Sequence, residues 1–209
     1  MQRLSDDQVR NVVAAAYEVD RAFGLYVETA AVTGARPSQI ARLVVADLQD
    51  GAAPRLMMPP SRKGDRRRKP PGKTPVPITL ELAERLASNR APDEPLLLRS
   101  DGRAWQSDKR TDDHTQLYAR AAKRAGVTGT LYQLRHSSIV RGLLAGIPLR
   151  VVCAMHDTSA AMVEKTYAAF IADHSDAVVR PALLSTAAPA GEVVPNAGGG
   201  HEQEEVRAS

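Results

Sequence analysis

Apolar residues recur at helical spacing through most of the chain, and residues that start and stop helices punctuate them. Ser5 stands where an N-cap belongs, Gln8 completes a capping box, and Leu4 and Val9 are placed as a hydrophobic staple, so a helix is predicted from Asp6 to about Glu18. A second, Asp20 to about Thr33, ends at Gly34, and a third starts at Pro37, which suits the first helical position. Two short apolar runs, Arg55-Leu56-Met57-Met58 and Thr74-Pro75-Val76-Pro77-Ile78, read as hairpin strands. Helices are then predicted over Thr79 to Asn89, Ser107 to Ala125 (closed by Gly126), Tyr132 to Ala145 (stopped by Gly146), Pro148 to about Met155 and Ser159 to about Val179. A short apolar run, Leu96-Leu97-Leu98, lies between the first two of these. The pattern describes a mainly α domain with one small antiparallel β-hairpin or sheet, an α+β fold spanning residues 1–185. From about Thr186 the composition turns to Ala, Pro, Gly and Glu, and residues 186–209 are predicted to be a disordered tail.

At 209 residues and 43% apolar content the chain is long enough to bury one real core. No window approaches 18 uninterrupted apolar residues, and the polar N-terminus lacks the apolar stretch of a signal peptide, which argues against membrane spanning and secretion. A single cysteine, Cys153, rules out an internal disulfide framework or a multi-thiolate site, and a cytoplasmic location fits.

The net charge of +4 permits a nucleic-acid partner, and its distribution is more specific. Residues 61–73 carry Arg62, Lys63, Arg66, Arg67, Arg68, Lys69 and Lys73 against Asp65 alone, a local charge of +6 in a chain otherwise at −2. A solvated loop or a targeting signal is the plain reading of such a run. Its position at the tip of a predicted hairpin makes these seven cations candidates for gripping DNA phosphates. Gly72-Lys73-Thr74 is not a phosphate-binding P-loop, because the required earlier glycine is Arg67.

Three segments place phosphate-seeking or reactive side chains at helix ends. In Thr33-Gly34-Ala35-Arg36-Pro37, an arginine precedes a helix start, where it adds positive charge to the positive end of the dipole; an anion bound there would explain it. Leu131-Tyr132-Gln133-Leu134-Arg135-His136-Ser137-Ser138 opens another helix. Met155-His156-Asp157-Thr158-Ser159 leads into a helix carrying Tyr167 on a stripe with Met162, Val163, Thr166, Phe170 and Ile171, so periodicity alone makes Tyr167 a packing residue. His136, beside Ile139, Val140, Leu143 and Leu144, reads as structural, and His114, within Asp112-Asp113-His114, as part of a solvated face. Trp105 is a packing or an interface residue. His201 and Glu202 lack the second histidine of a zinc-protease motif, and no metal site is indicated.

In their order and spacing these segments resemble the catalytic domain of the tyrosine recombinases, or phage integrases, over roughly Leu4 to Arg180. The first is similar to the family's Thr-Gly-x-Arg stretch leading into a helix that ends in Leu-x-x-x-Asp, here Leu43 to Asp47. The second is similar to the His-x-x-Arg box with Arg135 as its arginine, and the third to the closing box in which a histidine precedes the nucleophilic tyrosine. The resemblance implies a site-specific DNA recombinase or integrase of mobile elements. Tyr167 would attack a scissile phosphodiester, forming a 3′-phosphotyrosyl bond and releasing a 5′-hydroxyl without ATP, metal or any cofactor. Arg36 and Arg135 would hold the nonbridging oxygens bidentately. A hairpin lysine would protonate the departing 5′-oxygen, with Lys63 as candidate and Lys69 and Lys73 as alternatives.

The sequence departs from the pattern in two places. Tyr132 stands where the family has the histidine of His-x-x-Arg, and a phenol is a poor base at neutral pH. His156 lies eleven residues before Tyr167, and counting back from Met162 puts Asp157 at the histidine position instead; His156 is preferred because imidazole can donate to a phosphate oxygen. The resemblance further implies double-stranded attachment-site DNA as partner, a homo-oligomer (a tetramer on synapsed DNA, weakly associated or monomeric without it), accessory DNA-bending factors, no membrane and a nucleoid-associated location. Because the sequence opens on the catalytic region, the family's N-terminal core-binding domain is expected to be absent. Two other readings remain: a non-catalytic DNA-binding relic, and a DNA-relaxing enzyme like the type IB topoisomerases. Arg36→Ala and Arg135→Ala are expected to abolish cleavage while leaving folding intact.

Overall fold

The computed structural model describes residues 3–61, 72–106, 113–173, 176 and 179–184. Helix α1, Asp6–Val19, begins with the predicted capping box: the Gln8 amide donates to Ser5 Oγ (3.2 Å) and the Ser5 amide to Gln8 Oε1 (2.9 Å). Leu4 and Val9 are both buried beside it. Asp20 ends α1 and starts α2, Arg21–Thr33, by accepting from the Phe23 amide at 2.8 Å. Gly34 closes α2 at φ +62°, a left-handed conformation that costs glycine little.

The predicted third helix is short. Helix α3 covers only Pro37–Ile40, a 3₁₀ turn follows at Val45–Asp47, and a two-residue strand β1, Leu48–Gln49, comes next. The backbone after Leu43 spends its hydrogen bonds elsewhere: Val45 N–H donates to Glu94 O and Ala46 N–H to Pro92 O, both at 2.9 Å, while Leu96 N–H donates to Leu43 O at 2.8 Å. The run Leu96-Leu97-Leu98 therefore packs against this turn, with an isolated bridge between Val44 and Pro95.

Strands β2, Arg55–Met58, and β3, Thr74–Pro77, form the predicted hairpin, and β1 adds a third strand in the order β1-β2-β3, all antiparallel. Leu56 lies opposite Val76, and both are buried, as is Met58. Pro75 and Pro77 withhold donors from β3, which suits its position at the sheet edge. The hairpin tip, with Arg62, Lys63, Arg66, Arg67, Arg68 and Lys69, lies outside the described residues.

Helix α4, Leu80–Leu86, starts from an N-cap at Thr79. It stops short of Asn89 because Ala87 is already extended, with ψ 134°. Helices α5, Asp113–Arg124, α6, Tyr132–Leu144, α7, Leu149–Met155, and α8, Ala160–Asp173, complete the described set. The predicted extension of α8 to Val179 ends within residues that are only partly described.

One core joins α1, α2, α4, α5, the sheet and the start of α6 around Phe23, Tyr26, Ile40, Leu43, Leu56 and Leu134. A second, smaller core joins α6, α7 and α8 through Ile139, Val140, Val152, Cys153, Val163 and Tyr167. Trp105 is a packing residue, its ring centroid 4.8 Å from Tyr26 and 5.9 Å from Phe23. The solvated reading of His114 is corrected: the ring is buried and stacks on Tyr26 at 5.9 Å, because this face of α5 turns toward α1 and α2. Among the described residues no helix is long and apolar enough to cross a membrane.

Candidate active site

The α7–α8 turn gathers the candidate arginines. Arg36 is the N-cap of α3, and its guanidinium donates to Asp157 Oδ2 (3.3 Å) and to the Asp157 carbonyl (3.0 Å). Arg135, in the first turn of α6, donates to the Gly34 carbonyl at 2.9 Å and to the His156 carbonyl. The two guanidinium groups thus hold consecutive carbonyls of one turn, from sites 99 residues apart in sequence. Asp157 itself is left-handed, at φ +47°. The anion that the sequence calls for beside Arg36 is, in this state, the chain's own carboxylate.

Arg135 is only 6% exposed. Burial first, and then the charge of Arg36, lower its pKa to about 10, so it stays cationic at neutral pH. Its hydrogen bonds make it structural as well. The expectation that Arg135→Ala leaves folding intact is corrected, because that change orphans two buried-site carbonyls and empties the space of the side chain.

His156 is buried, and its ring is used at both ends. Nδ1 donates to the Val152 carbonyl at 2.9 Å, which leaves Nε2 to accept from Ser138 Oγ at 3.0 Å. Desolvation first, opposed by the bond to Val152 and aided by the charges of Arg135 and Arg36, lowers its pKa to about 4. It is Asp157, the alternative for the closing-box position, whose side chain meets Arg36.

Asp157 also ties this turn to the basic hairpin. Its Oδ2 accepts from the Ser61 amide at 2.6 Å, while Gln39 Nε2 donates to the Pro59 carbonyl at 2.7 Å and Arg42 Nη2 to the Pro60 carbonyl at 2.5 Å. Three successive residues at the root of the hairpin are thereby pinned beside Arg36. Gln39 and Arg42 carried no functional signal in the sequence; Gln39, a polar residue buried within the short α3, is the only trace of this arrangement. Lys73, at the other root, pairs with buried Asp47, the aspartate of the Leu-x-x-x-Asp stretch, which commits that ammonium locally. Lys63 and Lys69 lie outside the described residues.

Tyr167 is 8% exposed in the second core, on the predicted stripe with Val163, whereas Met162 is exposed. Burial raises its pKa above the ordinary phenol value, and the charge of Arg135 partly offsets this. Its hydroxyl lies 2.5 Å from His136 Nδ1, a contact that the structural reading of His136 did not anticipate. Tyr132, at the first residue of α6, is 44% exposed. Among the described residues no group of three or more His, Cys, Asp or Glu is placed to hold a metal ion.

A mainly helical domain, a three-stranded antiparallel sheet with a long hairpin, and two arginines converging on the turn before a tyrosine-bearing helix define the class: the chain has the fold of the tyrosine recombinase catalytic domain. The XerA recombinase superposes over 83% of this chain and 64% of its own, with 19% identity and a TM-score of 0.61. The XerH site-specific recombinase, bound to palindromic difH substrate in a post-cleavage complex, covers 87% and 54%, with 15% identity and a TM-score of 0.61. The catalytic core of lambda integrase covers 74% and 90%, with 20% identity and a TM-score of 0.55. The chain spans 64% of the XerA chain and 59% of a DNA-bound lambda integrase chain. No protein-family model and no curated protein sequence matches it.

Proposed function

We propose that this chain is the catalytic domain of a site-specific DNA recombinase that cuts and rejoins strands through a 3′-phosphotyrosyl bond at Tyr167. The observation that carries this reading is the convergence of Arg36 and Arg135 on the turn between α7 and α8, with Tyr167 within the field of Arg135. A scissile phosphate entering there meets two guanidinium groups already oriented by the fold. Fixed cations facing a pentavalent phosphorane stabilise the charge that develops on its nonbridging oxygens, at no reorganisation cost during the reaction. Arginine suits both positions, since its planar fork matches two phosphate oxygens.

Energy of the broken phosphodiester is held in the phosphotyrosyl bond, so rejoining needs no ATP, metal or other cofactor. A hairpin lysine donates the proton to the 5′-oxygen, and with Lys73 paired to Asp47 the candidates narrow to Lys63 and Lys69. Tyr132 and His156 stand near the site in supporting parts, the first as a hydrogen-bond donor and the second as a prop for the turn. The remaining hairpin cations, Arg62, Arg66, Arg67 and Arg68, neutralise flanking phosphates. Lambda integrase occurs as a dimer on a core site and as a tetramer on a Holliday junction, and an assembly of that kind on duplex DNA is our reading for this chain in a cytoplasmic, nucleoid-associated setting.

The test is a nicked suicide duplex carrying the attachment site, analysed on a denaturing gel. Wild type is expected to give a covalent protein–DNA species that Tyr167→Phe lacks. A wild type that shifts DNA at low salt without any covalent species is instead a DNA-binding relic.

A further inference from the structure

The proposed reaction leaves one step without an agent: the removal of the phenolic proton from Tyr167. At neutral pH this tyrosine is a neutral phenol, since burial holds its pKa above the ordinary value. A phenol attacks phosphorus poorly until that proton has somewhere to go. Tyr132 offers nothing here, being itself a phenol and largely exposed.

His136 does. It follows Arg135 on α6, and its Nδ1 is 2.5 Å from Tyr167 Oη on α8, with the two rings tilted by 56° at a centroid separation of 5.9 Å. Both elements are held in register by the second core, where Ile139 and Val140 of α6 pack with Val163 and Tyr167 of α8. Desolvation and the charge of Arg135 lower the pKa of His136, which keeps the imidazole neutral and able to receive a proton. With Nε2 carrying the ring hydrogen, Nδ1 presents its lone pair to the phenol.

We infer that His136 is a catalytic residue, the proton acceptor for Tyr167, an assignment that rests on the phosphotyrosyl reading above. In cleavage the Tyr167 Oη–P bond forms and the P–O5′ bond breaks; the phenolic proton passes to His136 Nδ1, and the 5′-oxygen takes its proton from the hairpin lysine. In rejoining the 5′-hydroxyl attacks the phosphotyrosyl phosphorus, the lysine recovers its proton, and His136 returns the other to the departing Tyr167 oxygen.

Single-turnover cleavage of the suicide duplex tests this, with Tyr167→Phe run alongside. His136→Gln keeps a hydrogen-bonding side chain that cannot take up a proton, and its rate of adduct formation is expected to fall about 10²–10⁴-fold with DNA binding retained. His136→Ala is expected to be slow and to be accelerated by added imidazole, an effect that a merely structural histidine would not show. Wild-type cleavage rates in His136→Gln, or a folded His136→Ala that imidazole does not accelerate, overturn the assignment. If either variant folds poorly, ¹⁵N-labelled wild type decides: an unprotonated Nδ1 at His136 supports the role, and an Nδ1 that carries the hydrogen and donates to Tyr167 overturns it. A wild type that forms no adduct removes the parent reading and the assignment with it, and is told apart by failing before any His136 variant is compared.

Discussion

Replacing Gly34 with alanine strikes the joint between the fold and the candidate site. The residue has φ +62°, and a Cβ built there would lie 2.6 Å from His156 Nε2, 2.7 Å from His156 Cδ2 and 2.7 Å from Ser138 Oγ. Gly126, at φ +66°, has the same backbone requirement with nothing within 4 Å of its Cβ. The left-handed conformation costs an L-residue about 1–2 kcal/mol, partly offset by the lower entropy of the unfolded alanine chain, and both effects are common to the two sites. Overpacking adds about 1–3 kcal/mol at Gly34 alone, because His156 and Ser138 are buried and bonded to each other. For a domain of this size each kcal/mol shifts Tm by about 2–4 °C, so Gly34→Ala is expected to melt roughly 2–12 °C below Gly126→Ala. Thermal unfolding followed by circular dichroism reads the difference. Since the Gly34 carbonyl also holds Arg135, suicide-duplex cleavage is expected to fall in Gly34→Ala and to persist in Gly126→Ala. Equal melting temperatures for the two variants would refute the steric reasoning, showing that the turn is not packed as described.

Two further outcomes follow from the site's electrostatics. Between pH 6.5 and about 4 the unfolded chain binds a proton at residue 156 that the folded chain excludes, so this histidine contributes stability above pH 6.5 that is lost as pH falls toward 4. The contribution is about 3 kcal/mol, and urea denaturation at pH 7 and pH 4.5 should show a smaller pH dependence in His156→Gln than in wild type; an identical dependence would sink the idea. Asp157→Asn keeps an oxygen for the Ser61 amide but removes the negative charge that, on the proposed function, competes with DNA phosphate for Arg36. Duplex affinity by fluorescence anisotropy at fixed salt is expected to tighten about fivefold, for about 1 kcal/mol of screened repulsion relieved, and unchanged or weaker binding would count against Asp157 as the competing anion.

Much of this protein was written locally in its sequence. The capping box at Ser5 and Gln8, the stop at Gly34 and the two hairpin strands each involve residues within a few positions of one another, and each appears as predicted, with Asp20 capping the second helix rather than opening it. The order of Arg36, a basic hairpin, Arg135 and Tyr167 was equally visible, and it sufficed to point to the fold. The short α3 was misjudged because helical spacing at Leu43 and Val44 cannot reveal that the backbone there bonds to a loop near residue 94. The solvated reading of His114 fails for the same reason, since its surroundings come from α2, and the contact of His136 with Tyr167 is equally invisible locally because its partner comes from α8. What depends on neighbours along the chain is legible in the sequence, namely the capped start of α1, the glycine stop of α2, the hairpin strands and the local charge. Only the tertiary structure decides that Asp157 occupies Arg36, that Gln39 and Arg42 pin the hairpin root, and that His136 meets Tyr167, since each joins groups separated by 18 to 121 residues and brought together by burial of the two cores.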